Sequence, residues 1–172
     1  EIHDARKLGE IPVWQPGQIV PTPQSELTLQ TCPGDRVIRT ITPVLLREDD
    51  NKRIYDVGEN ISGNVRVTTG APAGTRIRLR FAEDYQDGQL NFTSTGSESV
   101  CHSGCNQIQE DVFICDGEKR SFEPMFTWHA FRYFEVVGSV DSLEVQVIHS
   151  DTPVTATFES DSEGMNWLYE AF

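Results

Sequence analysis

Apolar and polar residues alternate with a period of two over much of this chain. In residues 76–81, Ile77, Leu79 and Phe81 alternate with arginines, as is typical of a strand with one face in the core and one in water. Other β-rich runs, bounded by Gly, Pro, Asp and Asn turns, cover residues 36–46, 54–57, 64–69, 111–115, 143–149 and 155–159. Many short strands without an intervening helix predict an all-β fold, an antiparallel β-sandwich of jelly-roll type.

The two ends of the chain depart from this pattern. Residues 1–35 hold five prolines and no sustained period, which predicts an extended N-terminal strap packed on the domain. From residue 161 the apolar spacing becomes helical, so we expect residues 161–172 to begin a helical linker that stops in mid-helix. Residues 36–160 then form the β-sandwich domain.

The aromatic segment 122–137 is apolar at positions that would face both sides of a strand. We therefore interpret it as one strand buried between two sheets, with most of its rings in the core. Trp128 and His129 lie near its start, close to a loop end. Either core packing or a place at the rim of a site is consistent with that position.

The charge balance bears on the partners. The chain has 27 acidic and 14 basic side chains, a net charge of −13, which repels nucleic acid and anionic membranes and leaves carboxylates available for a hard cation. No apolar run approaches the roughly 20 residues of a membrane-spanning helix. We expect neutral ligands or cations as partners, and neither nucleic acid nor a membrane.

Three of the four cysteines lie within fifteen positions, and two of them, Cys101 and Cys105, lie in the long polar loop 91–109. We expect Cys101 and Cys105 to be bonded to each other, because a tether would order such a loop and the span can meet the Cα separation of a disulfide. The alternative is a zinc site to which the Cys-His-Ser-Gly-Cys run at 101–105 contributes, with Cys115 and either His102 or His129 nearby, although the spacing matches no standard Cys-x-x-Cys pair.

Residues 54–63, Ile-Tyr-Asp-Val-Gly-Glu-Asn-Ile-Ser-Gly, form the most distinctive stretch. It is predicted to be a strand that ends in a polar turn, with Glu59 and Asn60 at the loop tip. Gly58 and Gly63 supply a positive φ or room for close backbone approach. Such a tip can grip a ligand, or it can be a tight hairpin with a solvated glutamate.

Several stretches together resemble one family. They are Asp-Ala-Arg at 4–6, the motif at 55–63, Pro-Ala-Gly at 72–74, Arg-Leu-Arg-Phe-Ala-Glu at 78–83, Phe-Glu-Pro at 122–124, Phe-Thr-Trp-His-Ala-Phe-Arg-Tyr at 126–133, His-Ser-Asp at 149–151 and Phe-Glu-Ser-Asp at 158–161. In this order they resemble the β-sandwich domain that precedes the catalytic barrel in bacterial α-L-rhamnosidases of glycoside hydrolase family 78.

The resemblance implies a non-catalytic domain, because the catalytic acids of that family belong to an (α/α)6 barrel. Some domains of this kind resemble carbohydrate-binding module family 67, which holds L-rhamnose with the help of a calcium ion. Carried over, the sugar-binding and metal-binding roles fall on Glu59 and Asn60. Strand ends are expected to bring Glu83 and Trp128 to the same rim as further sugar-binding candidates.

Two other functions compete with sugar binding. A structural spacer that supports a neighbouring catalytic barrel would need only the strands. An enzyme in its own right would need two carboxylates about 5 to 9.5 Å apart in a cleft, for which Glu59 and Glu83 are the candidates.

Overall fold

A computed structural model of the chain describes residues 1–10, 13–92 and 109–171. Within these ranges the strands are β1 (Ile2–Asp4), β2 (Asp35–Ile41), β3 (Val44–Asp49), β4 (Lys52–Thr69), β5 (Arg76–Ala82), β6 (Asp84–Gln86), β7 (Gln89–Asn91), β8 (Glu110–Ile114), β9 (Arg120–Phe122), β10 (His129–Val137) and β11 (Ser142–Ser150). A 3₁₀ turn, Ala5–Lys7, follows β1, and one α-helix, α1, covers Glu163–Ala171.

The sheet is built around β4, which is 18 residues long. Its first part pairs with β3 and β10, and its second part pairs with β11 and β9. Strands β5, β8 and β1 extend the sheet beyond β10, while β2 extends it beyond β11. Among these pairs only β1 with β8 is parallel. The predicted all-β sandwich is confirmed, and the jelly-roll strand order stays a prediction.

Both halves of the curled sheet enclose one hydrophobic core. Tyr55, Phe81 and Phe134 come from the first half, and Val65 and Val145 from the second, all in one cluster of buried side chains. The alternation predicted for residues 76–81 is confirmed, since its three apolar side chains are at most 1% exposed. The period-two pattern therefore sets which face of each strand enters the core.

Gly63 lies where β4 passes from one half of the sheet to the other. It pairs with His129 of β10 on one side and with Val147 of β11 on the other. A Cβ atom at this position would overlap the backbone carbonyl oxygen of Gln146. Gly63 thus gives room for close backbone approach, and Gly58 has the positive φ, at +93°. The roles predicted for these two glycines are confirmed.

The prediction that β4 ends in a turn at Glu59 and Asn60 is wrong. Both residues lie inside β4, which continues to Thr69. In the register with β10, Tyr133 pairs with Asp56 and Phe131 pairs with Ile61, so only Arg132 lies between these two pairs. Residues 57–60 of β4 therefore form a large bulge opposite this single residue. Because β4 finds new partners beyond the bulge, the glycines bend the strand and do not end it.

The prediction of one strand over residues 122–137 is also wrong. Strand β9 ends at Phe122 and β10 begins at His129. Pro124 has no N–H to donate to a ladder, which explains the interruption. Phe126 is consequently 82% exposed, whereas Phe131 and Phe134 are fully buried in the core.

The ends of the chain differ in how they contact the sandwich. Strand β1 joins β8, and Ala5 is buried. Residues 13–34 are exposed throughout, including Trp14 at 82%. Helix α1 confirms the helical period predicted for the end of the chain, and the domain boundaries at 35 and 160 stay predictions. The described part of the chain contains no helix with the length and apolar character that membrane crossing requires.

The predicted Cys101–Cys105 disulfide lies outside the described residues. Cys32 is an exposed free thiol and Cys115 is a buried one. Burial, reinforced by the neighbouring Asp116 carboxylate, raises the pKa of the Cys115 thiol. That thiol therefore stays protonated and behaves as a small core residue.

Candidate functional site

The bulge in β4 carries the polar residues that the sequence singled out. Asp56 holds its shape, because the Oδ1 atom accepts a 2.7 Å hydrogen bond from the backbone nitrogen of Gly58. Arg132 donates to both Asp56 oxygens, at 3.0 and 3.1 Å. This bidentate contact is the main reason that the pKa of Asp56 is lowered. The fixed Asp56 carboxylate therefore holds the bulge in a shape that leaves Glu59 and Asn60 exposed.

Glu59 contacts a side chain of β2, which is separated from β4 by β11 in the sheet. Arg39 of β2 donates to its two carboxylate oxygens at 3.0 and 2.7 Å. Both side chains are about half exposed, at 51% for Glu59 and 48% for Arg39. The hydrogen bonds from Arg39 are the main cause of the lowered pKa of Glu59. Glu59 is therefore an ionised carboxylate whose charge is already balanced.

Asn60 and Glu83 lie together, as predicted. The Asn60 Nδ2 atom donates to Glu83 Oε1 at 3.2 Å, in an exposed position. Glu83 comes directly after the last residue of β5, so the end of that strand brings it to the bulge. We call Arg39, Glu59, Asn60 and Glu83 the polar rim.

Trp128 does not join the polar rim. Because His129 pairs with Gly63, Trp128 lies beside Asn64. Asn64 is four positions along β4 from Asn60, a separation of roughly 13 Å at the rise of a strand. It is 53% exposed and lines a separate groove with Asn64 and Gln146. The structure thus brings three of the four predicted sugar-binding residues together and leaves the fourth elsewhere.

Sequence reasoning missed the aromatic pair beside the polar rim. Tyr85 and Tyr133 stack with ring centroids 5.6 Å apart, and the Arg132 guanidinium lies 5.1 Å from the Tyr133 ring centroid. Tyr133 pairs with both Ala82 and Asp56, which places it next to the strand end that carries Glu83. No local pattern marks these residues, because only the strand register brings them together.

Glu59 and Asn60, as arranged, do not fit a calcium ion. Calcium takes six to eight oxygen ligands, whereas both Glu59 oxygens are bonded to the Arg39 guanidinium, whose positive charge would repel a cation. No group of three or more His, Cys, Asp or Glu side chains that would hold a metal occurs among the described residues.

The fold and the polar rim define an acidic β-sandwich module with a polar surface site at the bend of its longest strand. The family described as the bacterial alpha-L-rhamnosidase concanavalin-like domain matches residues 46–153, more than half of the chain. The chain belongs to this family.

Curated relatives agree with this family. An α-L-rhamnosidase of Streptomyces avermitilis is 32% identical over 123 residues, which cover 67% of this chain and 11% of that protein. One from Formosa agariphila is 26% identical over 151 residues, covering 83% of this chain and 15% of the relative. The chain therefore spans a small part of the length of the relatives it matches.

Solved structures show the same fold. The α-L-rhamnosidase of Dictyoglumus thermophilum has a TM-score of 0.67 at 28% identity, covering 87% of this chain and 18% of that one. The Streptomyces avermitilis enzyme complexed with L-rhamnose has a TM-score of 0.67 at 28% identity, covering 81% and 14%. The similarity concerns one domain of these proteins.

Proposed function

We propose that this chain is a non-catalytic module of an α-L-rhamnosidase and that it binds L-rhamnose, or a glycan that carries it, at the polar rim. The observation that carries the proposal is the Asn60–Glu83 pair, an exposed amide and a half-buried carboxylate held 3.2 Å apart on a domain of the rhamnosidase family. The remainder of the parent protein supplies the catalytic (α/α)6 barrel.

The state of Glu59 supports a non-catalytic role. A glycosidase needs one carboxyl group with a raised pKa to protonate the leaving group. The pKa of Glu59 is lowered by its bonds to Arg39, so this residue is ionised and cannot serve as that acid. Of the two carboxylates considered for catalysis, Glu59 could therefore fill only the ionised role, and both of its oxygens are already bonded to Arg39.

The chemistry of the Asn60–Glu83 pair suits sugar hydroxyls. The Glu83 carboxylate accepts hydrogen bonds from hydroxyl groups, and the Asn60 amide offers both a donor and an acceptor. The nearby stacked tyrosines, Tyr85 and Tyr133, offer apolar surface for the carbon face of the ring. A small neutral sugar gains little net free energy from such an exposed site, so we expect a Kd on the order of 0.1 to 1 mM.

A calcium-dependent form of this proposal has a structural requirement. Glu59 would first have to leave Arg39, since its two oxygens are otherwise occupied. Calcium would then compete with a bidentate guanidinium contact. Sugar binding through Asn60 and Glu83 alone has no such requirement.

Titration calorimetry tests the proposal. L-rhamnose is titrated into the chain in calcium buffer and again with chelator, and then into the Asn60→Ala and Glu83→Gln variants. We expect binding that each substitution weakens at least tenfold. The exposed residues Asn51 and Glu118 provide matched controls, Asn51→Ala and Glu118→Gln, which should bind as the unaltered chain does. Binding that vanishes with chelator would establish the calcium-dependent form.

A structural spacer is the second candidate function, and one observation favours it. Every residue of β3 and all but one of β2 are exposed. Five apolar side chains there are 39–64% exposed, namely Val37, Ile38, Val44, Leu45 and Leu46. Exposed apolar edge strands are unusual unless another domain covers them. In the parent protein, Leu45→Glu would then lower the stability of the assembly while sparing the isolated chain. If calorimetry detects no heat of binding at millimolar L-rhamnose, the spacer function is favoured over sugar binding.

A further inference from the structure

A second groove lies on the outer face of β4 and β11, at the start of β10. Its volume is about 240 Å³. The residues that matter for its chemistry are Arg36, Asn64, Glu123, Met125, Trp128 and Gln146, and we call it the Trp128 groove. It shares no residue with the polar rim.

Two buried amides form part of its lining. Asn64 and Gln146 are direct cross-strand partners, so their side chains point to the same face of the sheet. They are 5% and 7% exposed, although they lie on the outer face, because the segment between β9 and β10 covers them. Apolar side chains would cover this face more favourably than amides do. The buried amides therefore indicate that hydrogen bonding is needed at this position.

Both amides are held in place. In the orientation that satisfies its amide group, the Asn64 nitrogen donates to the backbone oxygens of Thr127 at 2.9 Å and Gly63 at 3.1 Å. The Gln146 Nε2 atom donates to Glu123 Oε2 at 3.3 Å. Groups that are fixed before a ligand arrives lose little entropy when they bind it.

The wall of the groove is aromatic and accessible. Trp128 is 53% exposed and Met125 is 71% exposed, so an apolar surface stands beside the buried amides. Charged groups line the same space: Arg36 has a side chain 71% exposed, and that of Glu123 is 52% exposed. A flat apolar ring beside amides and charged hydrogen-bonding groups matches a sugar, which has an apolar carbon face and a perimeter of hydroxyls.

The volume limits the ligand. Sites for drug-sized molecules are roughly 300–1,000 Å³, and this groove lies just below that range. It has room for one sugar ring and not for an extended oligosaccharide. The lining carries both signs of charge at its accessible edge, with Arg36 beside Asp151 and Glu123 beside Arg66, so a neutral ligand fits better than an ion.

We propose that the Trp128 groove is a second sugar-binding site, which takes one neutral hexose or deoxyhexose residue of a glycan between the Trp128 ring and the amides of Asn64 and Gln146. This goes beyond the function proposed above, because it uses other residues about four positions along β4. The groove binds its sugar whether or not the polar rim binds L-rhamnose.

Nuclear magnetic resonance of the indole N–H groups tests this site in the unaltered chain. The chain has three tryptophans, and single Trp→Phe variants assign their signals. L-rhamnose, D-glucose and D-galactose are each added to concentrations on the order of 10 mM, above the roughly millimolar Kd expected of a small neutral ligand. We expect a saturable shift of the Trp128 signal with at least one sugar. Trp14 and Trp167, which are 82% and 68% exposed, should not shift and serve as internal controls.

Variants separate the two sites. In an Asn60→Ala background, which removes binding at the polar rim, Trp128→Ala should weaken calorimetric binding of the sugar that shifts the signal at least tenfold, and Trp128→Phe should recover part of it. Asn60→Ala should leave the Trp128 response unchanged, even if it abolishes binding at the polar rim. An unmoved Trp128 signal with all three sugars would overturn the inference. So would shifts of equal size at Trp14, or a Trp128 response lost in Asn60→Ala.

Discussion

Substitution of Gly63 by alanine is the sharpest test of how this sandwich is held together. The added Cβ would overlap the backbone carbonyl oxygen of Gln146 and lie 3.1 Å from its carbonyl carbon. Because these are backbone atoms, no side-chain rotation relieves the overlap. Strands β4 and β11 must separate where Gly63 pairs with Val147.

The size of the effect follows from that separation. One or two ladder hydrogen bonds would be stretched or broken, at about 1 kcal/mol each, and residual strain in the backbone adds a similar amount. We expect Gly63→Ala to lower the free energy of unfolding by roughly 2–4 kcal/mol, a loss large enough to require a specific structural cause. For a domain of this size that corresponds to a fall in Tm of about 4–16 °C.

Urea unfolding followed by far-ultraviolet circular dichroism measures the loss, and Gly70→Ala is its matched control. The nearest atom to a Cβ at Gly70 is Lys119 Cβ at 3.8 Å, an ordinary contact. The control should change stability by less than about 1 kcal/mol. If Gly63→Ala proves no more destabilising than Gly70→Ala, the close crossing of β4 and β11 is not as described.

Two further predictions concern pH and catalysis. The folded pKa of Asp56 is lowered by Arg132, so the contribution of this pair to stability is present above the ordinary Asp pKa of about 3.9 and is lost as the pH falls through the folded value. Arg132→Gln should therefore cost about 0.5–1 kcal/mol at neutral pH, a small figure because the pair is partly exposed, and nothing in strong acid. The reasoning would be contradicted if the difference in free energy of unfolding between Arg132→Gln and the parent chain stayed unchanged down to pH 2. The control is Arg66→Gln, which removes a 3.7 Å contact with Glu123. The isolated chain should not hydrolyse aryl α-L-rhamnosides; turnover that survives repurification and disappears with Glu59→Gln would refute the non-catalytic role.

Local patterns predicted most of the strands because a strand's burial repeats every second residue, although residues 155–159, predicted as a strand, form none. Ile77 and Leu79 are fully buried, as their alternation with arginines required. The same reasoning failed at residues 122–137, because the prediction gave more weight to the aromatic side chains than to the interruption of the strand at Pro124. Local chemistry also identified Gly58 and Gly63 without fixing what they do together, which is to bend a continuous strand.

The candidate site was predictable only in part, because it depends on strand register. Glu83 follows the end of β5 next to the bulge and contacts Asn60, as expected from strand ends meeting at one rim. Trp128 was expected at the same rim, but the pairing of His129 with Gly63 carries it to another groove. The contact between Arg39 and Glu59 joins β2 and β4, which do not pair with each other but lie on either side of β11. No local pattern specifies that arrangement, so the balanced charge of Glu59 emerges only from the fold.

The central place of β4 also affects how the chain folds as it is synthesised. Its partners β10 and β11 lie far along the chain, so β4 is not fully paired until Ser150 has been made, about 80 residues after Thr69. At a synthesis rate of 5–20 residues per second this is a delay of roughly 4–16 s. During that time β3 can pair with the first part of β4, and the apolar face of β4 depends on the factors that protect nascent chains. Slowing translation between residues 70 and 150 should therefore increase aggregation, whereas slowing it after residue 150 should not.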